Sequence, residues 1–294
     1  MNKEHRHVRR RLWLGMTGAF LFVGLFVCSY LIPCLPKPGR IILMGGIDLM
    51  AFFLAAGTAT AVLRSYKKDE GPYKIWLFFA IGLWTWFTGE LTWGIYYLTT
   101  PAVPFVTITD LFWAIAYGLF SIALYYQYRL IRHPKKLWAV AVMTGVWLLV
   151  LLISHVGAYV SNGLSMVNGF FEHYLLFYYL ACDLAIIATS LVFIRAFGTG
   201  ILMRPWLGLM LMLLAEAFYT WLHNFNLYTY SADGGNLLSL FADVFYLCAF
   251  LAIALGCLAQ YLLLKYGPRA LPLRSIRLLS IRLASRGPRK GESR

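Results

Sequence analysis

Charge is what this sequence has least of. Only 13% of its 294 residues are Asp, Glu, Lys or Arg, against 61% hydrophobic, a balance outside that of a water-soluble domain of this length. Cysteine is sparse too. Cys28, Cys34, Cys182, Cys248 and Cys257 are odd in number and include no C-x-x-C pair, which argues against a zinc cluster or a disulfide framework. Neither H-x-x-x-H nor H-E-x-x-H occurs, so no metal centre is expected. Gly-rich phosphate loops and an ordered Ser, His and Asp series are missing, and "GGID" and "DGG" are too short to mark a nucleotide site, so no cofactor is expected. No loop exceeds about twenty residues and the tail has about thirty, which leaves no room for a folded soluble catalytic domain.

What the chain does have is long apolar runs. Segments of about 20 apolar residues predict spans at about 12–33, 41–63, 73–98, 105–130, 137–156, 171–195, 202–223 and 237–264. The expected fold is all-α: a polytopic integral membrane protein of eight transmembrane helices. Of the 26 Lys and Arg, 24 lie on the N-terminal side, and Lys37 and Arg40 alone lie opposite. The positive-inside rule then puts both termini in the cytoplasm of a multi-pass plasma-membrane protein. The net charge of +14 therefore describes the inner surface, where anionic lipids attract it, and nucleic acid is not an expected partner. The basic start "MNKEHRHVRRRLW" leads into a run too long for a signal core, so it reads as an uncleaved first span.

The second half restates the first. "HVRRRLW" at His7 is answered by "HPKKLW" at His133, Asp48 by Asp183, Glu90 by Glu216 and Asp110 by Asp243. The offset of the last pair also matches Phe112 with Phe245, Ala116 with Ala249, Gln127 with Gln260 and Tyr128 with Tyr261. This predicts two four-helix repeats, 7–131 and 133–266, of the same orientation about an axis along the membrane normal. Together they form a membrane domain over 1–266. A basic tail, 267–294, either lies on the anionic inner leaflet or ends disordered.

Carboxylates in hydrocarbon cost several kcal/mol unless paired, hydrated or protonated, so such groups face a bundle interior or a wet cavity. The candidate ligand-binding residues are therefore Asp48, Glu90, Trp93, Asp110, Asp183, Glu216, His223 and Asp243. Trp86, Trp93 and Tyr97 share the Glu90 face, Thr220 and His223 follow Glu216, and Tyr179 precedes Asp183 by one turn. The alternative is that each acid bonds one neighbour and locks the packing.

The stretch "WFTGELTWGIYYLTTPAVPFVTITDLFWAIAY" resembles multi-helix membrane input modules of bacterial signalling proteins, through Gly89, Glu90, Trp93, Tyr97, Pro104, Thr109, Asp110 and Tyr117. Those modules usually precede a diguanylate cyclase or histidine kinase domain, which this chain lacks. The resemblance implies a ligand-binding or sensory protein with an outward-facing acidic and aromatic pocket. Its expected partners are membrane lipids, a small-molecule or cation ligand, and a cytoplasmic or membrane signalling protein. A weaker resemblance to the lysoplasmalogenase-type eight-helix family implies an intramembrane lipid hydrolase, although Gly-Glu here replaces that family's Gly-Asp. A proton- or cation-coupled transporter is the third reading.

Overall fold

The computed structural model describes residues 3–31, 36–100, 106–130, 170–197, 203–224 and 227–267, with four isolated positions between 145 and 152. Among these there are seven α-helices, one short 3-10 turn and no strand. The helices are α1 (Lys3–Leu31), α2 (Lys37–Leu63), α3 (Gly71–Thr99), α4 (Ile108–Leu130), α5 (Phe170–Phe197), α6 (Arg204–Asn224) and α7 (Leu237–Tyr266). Five of them, α1, α2, α4, α6 and α7, are long and apolar enough to cross a membrane. This makes the chain a helical membrane protein. The predicted span at 137–156 lies outside the described residues apart from those four positions, as does the tail beyond Gly267.

Local chemistry sets the helix ends. Pro38 and Pro72 stand in the first turns of α2 and α3, where a missing N–H costs nothing. Asn236 caps α7 by accepting the Ser239 amide at 2.9 Å. Gly267 ends it with φ +74°, its N–H bonded to the Leu263 carbonyl. Helix α1 begins about nine residues before the predicted span, because its Arg-rich start continues the helix.

The packing closes a ring. Each of α2 to α7 packs on the next, and α7 returns to α2. Alanines 51, 55, 56 and 59 give α2 a buried face of small residues that admits close neighbours, as membrane interfaces favour. Helix α1 stays outside the ring against α7 and α2, and turns Leu14, Phe20 and Leu21 outward. Such exposed apolar faces, repeated at Phe53, Ile95 and Phe241, suit a lipid surround rather than water.

Candidate functional site

The ring encloses a cavity of about 910 Å³, and every one of its six helices contributes lining. At one end, the mouth, the segment 227–236 folds across the termini of α2, α3 and α7. Thr100 at the rim and Trp86 at depth are 14 residues apart on one helix line, so the cavity reaches about 20 Å inward.

The covering segment is tied down from three helices. Tyr30 of α1 donates to the Gly235 carbonyl at 2.6 Å, and Arg40 of α2 donates to the Ala232 carbonyl at 2.8 Å. Lys37 pairs with Asp233 at 2.6 Å, and Tyr97 of α3 donates to the other Asp233 oxygen at 2.9 Å. The "DGG" of the sequence is the turn of this segment. Gly234 has φ +93°, which a Cβ would strain, and a Cβ on Gly235 would lie 2.1 Å from the Thr229 carbonyl.

The Lys37 ammonium holds the Asp233 carboxyl below its ordinary 3.8; burial opposes it, and the Tyr97 hydroxyl adds to the lowering. A carboxyl depressed in the folded state adds stability that is complete above its unfolded value and lost as pH falls through the folded one. Lys37 is 61% exposed, so solvent screens the pair and its contribution stays within about 1 kcal/mol. Lys37→Met is therefore expected to lower the melting temperature in detergent slightly at pH 5 to 8. That gap should shrink progressively as pH falls below 3.8; a gap that stays constant as the pH is taken down until the carboxyls are protonated would mean that the pair does not act through Asp233 ionisation.

Six of the eight candidate residues line the cavity: Asp48, Glu90, Trp93, Asp110, Glu216 and Asp243. Asp183 does not. It is fully buried behind the wall, where its Oδ1 accepts from Tyr117 at 2.5 Å. The His223 side chain lies outside the described residues.

The lining acids divide by what they touch. Asp110 and Asp243 anchor the chain that precedes their helices. Asp110 accepts from the Thr107 amide at 2.7 Å and from Tyr179 at 2.8 Å. Asp243 accepts from Tyr228 at 2.8 Å, from the Ser231 amide at 3.1 Å and from the Ser231 hydroxyl. Glu90 instead faces inward, and one of its oxygens accepts from Trp86 at 2.9 Å and from Tyr246 at 2.7 Å. The same Tyr246 hydroxyl lies against Glu216. Asp48 also faces the cavity, and its Oδ1 is buried without a hydrogen bond from any described residue.

Aromatic rings build the wall above these acids. Trp93 and Tyr97 stack at 5.1 Å, and Tyr230 sets its edge against both, 5.5 Å from Tyr97 and 6.2 Å from Trp93. Burial, then the Asp48 and Asp243 carboxyls, push the Tyr230 phenol well above its ordinary value, so it stays neutral. Among the described residues no group of three or more His, Cys, Asp or Glu is placed to hold a metal ion.

The spacing around Glu90 was readable: Trp86, Trp93 and Tyr97 all line the cavity. Lys37, Tyr228, Tyr230, Asp233 and Tyr246 escaped it. Tyr246 follows Asp243 by three residues, a helical neighbour that the acid pattern pointed to, whereas Lys37 and Asp233 meet only through the fold. No family model, curated protein or solved structure matches the chain.

Proposed function

We propose that this chain is an integral membrane ligand-binding protein of sensory type, whose ring of helices holds a small molecule and reports its presence to a signalling partner. One observation carries the reading: six helices converge on a single cavity into which Asp48, Glu90 and Glu216 face together. A cavity of about 910 Å³ has the size of small-molecule sites, and apolar walls with a few convergent polar groups are their usual lining. Asp183 is held by one hydroxyl away from the cavity, whereas Glu90 and Glu216 meet at the same Tyr246 hydroxyl on the cavity wall and Asp48 Oδ1 has no bond from a described residue.

The eight-span, two-repeat architecture belongs to the same proposal. Around the ring, α2, α3 and α4 are followed by α5, α6 and α7, and acids recur in the same order in each set. That cyclic order is what a two-fold axis along the membrane normal requires. The mouth end carries Lys37 and Arg40. The opposite end carries Arg9, Arg10, Arg11, Arg64, Lys67, Lys68, Arg129 and Lys265, which favours an outward-facing mouth with both termini inside.

Gly94 lines the cavity and a Cβ there meets nothing within 4 Å, so Gly94→Trp starts from open space and its indole is the occluding group. In a thermal-shift panel of amines, amino acids, fatty acids, nucleosides and sugars, at least one compound is expected to raise melting of the wild type. At hundredfold excess over Kd the rise is about 5 °C, and Gly94→Trp should abolish it. A panel that shifts neither protein, or both equally, would end the reading.

A hydrolase is the second reading, because Glu90 and Glu216 flank the Tyr246 hydroxyl as an acid–base pair would. Release of labelled headgroup from lipid by the purified protein would favour it.

A further inference from the structure

The electrostatics of the cavity narrow the ligand further. Lys37 is the single Lys or Arg among the described lining residues, and it is already paired with Asp233 at the rim. Asp110 and Asp243 are occupied with their loops. Asp48, Glu90 and Glu216 remain, with no basic side chain among the lining residues at their depth. Carboxylates inside a membrane protein need a counter-charge, from protons or from a bound cation.

Asp48 is the member built to receive one. Its counterpart Asp183 bonds the Tyr117 hydroxyl; the offset that matches Asp110 with Asp243 carries Tyr117 onto position 250, where the residue is Phe. Phe250 packs on Phe52 at 4.2 Å and offers no hydroxyl, which leaves Asp48 Oδ1 buried, unbonded and at the cavity wall. The carboxyls are near enough for Asp48 to feel Asp243 and Glu90, and for Glu216 to feel Glu90. They are nevertheless not gathered as a metal ion requires. Carboxyls that influence one another without gathering about one point suit a cation of larger radius than a metal ion. Trp93, Tyr97 and Tyr230 supply the matching wall, since ring faces attract ammonium groups.

We propose that the cavity takes a monovalent organic cation, an amine or quaternary ammonium with an apolar body, whose charged head sits at Asp48 beneath the Trp93, Tyr97 and Tyr230 rings. This rests on the ligand-binding reading above. Anions and neutral molecules of the same shape lack the charge that Asp48 and Glu90 select.

The test uses the full chain in detergent and three probes: benzyltrimethylammonium, its neutral carbon analogue neopentylbenzene, and benzenesulfonate. Binding is read by thermal shift, and by protection of Asp48 from dicyclohexylcarbodiimide, scored by peptide mass. The cation is expected to bind and protect and the other two are not. Asp48→Asn and Trp93→Leu should each weaken cation binding by about tenfold or more. Two variants are used so that one misfolded protein does not decide the result. Equal binding of the neutral analogue, or cation binding unchanged in both variants, overturns the cation proposal. If Gly94→Trp still blocks whatever binds, the cavity reading survives that failure. If none of the three probes binds, the cation proposal fails alone, and the broader panel judges the cavity.

Discussion

Gly256→Val is expected to cost about 3 kcal/mol or more and to leave little monodisperse protein after extraction in mild detergent. The cause is the contact between α6 and α7. A Cβ at Gly256 would stand 2.7 Å from the Pro205 nitrogen and 2.8 Å from the Arg204 carbonyl carbon. Both are backbone atoms, so no rotamer change relieves the clash. The arrangement is reciprocal: a Cβ at Gly208 of α6 would lie 2.7 Å from the Ile253 amide nitrogen of α7. Gly208→Val should therefore behave alike, since without a hydrophobic drive between helices the bundle depends on such close approach. Gly24 of α1 provides the control, because a Cβ there meets nothing within 4 Å. Gly24→Ala should leave size-exclusion behaviour and melting unchanged. A Gly256→Val protein that elutes and melts like the wild type would show that α6 and α7 are further apart than described here.

Tyr117→Phe is expected to cost about 2 kcal/mol, the loss of the one hydrogen bond that a fully buried carboxyl receives from the described residues. Asp183 Oδ2 already has no hydrogen bond from the described residues, so removing the hydroxyl leaves both oxygens bare. Interhelical bonds in membrane bundles average nearer 0.6 kcal/mol, because a chain unfolded in lipid also finds partners. Asp183 should exceed that average, since the cost of a bare buried acceptor outweighs the net value of the bond it lost. The double substitution Tyr117→Phe with Asp183→Leu removes the polar group together with its partner. It is expected to recover at least half of the loss in thermal or denaturant unfolding. A double variant as unstable as the sum of its parts would show that Asp183 contributes something beyond that bond.

Period and length made part of this legible in advance. The run of apolar residues marked α2, α4 and α7 to within a few positions, and 3.6-residue spacing put Trp86, Trp93 and Tyr97 beside Glu90. Helix α3 falls short of the five apolar helices because its four Trp, three Tyr and four Thr dilute a hydropathy average, although it packs between α2 and α4. The division of labour among the acids was not legible. Asp110 and Asp243 look in sequence like the other intramembrane acids, yet Tyr179, 69 residues after the first, and Tyr228, 15 residues before the second, turn them into anchors. Asp48 and Asp183 look equivalent in sequence. A phenylalanine at position 250 in place of a tyrosine separates them.

Helix α1 runs along α7 and α2 from one surface to the other, with Val8 and Phe26 buried against them. Tyr30 grips the segment across the mouth, Arg11 lies 5.9 Å over the Tyr266 ring at the far end of α7, and Gly15 rests midway against Leu255 and Leu258. The one described helix outside the ring thus touches both the segment across the mouth and, through its first turns, the surface that carries Arg9, Arg10 and Arg11.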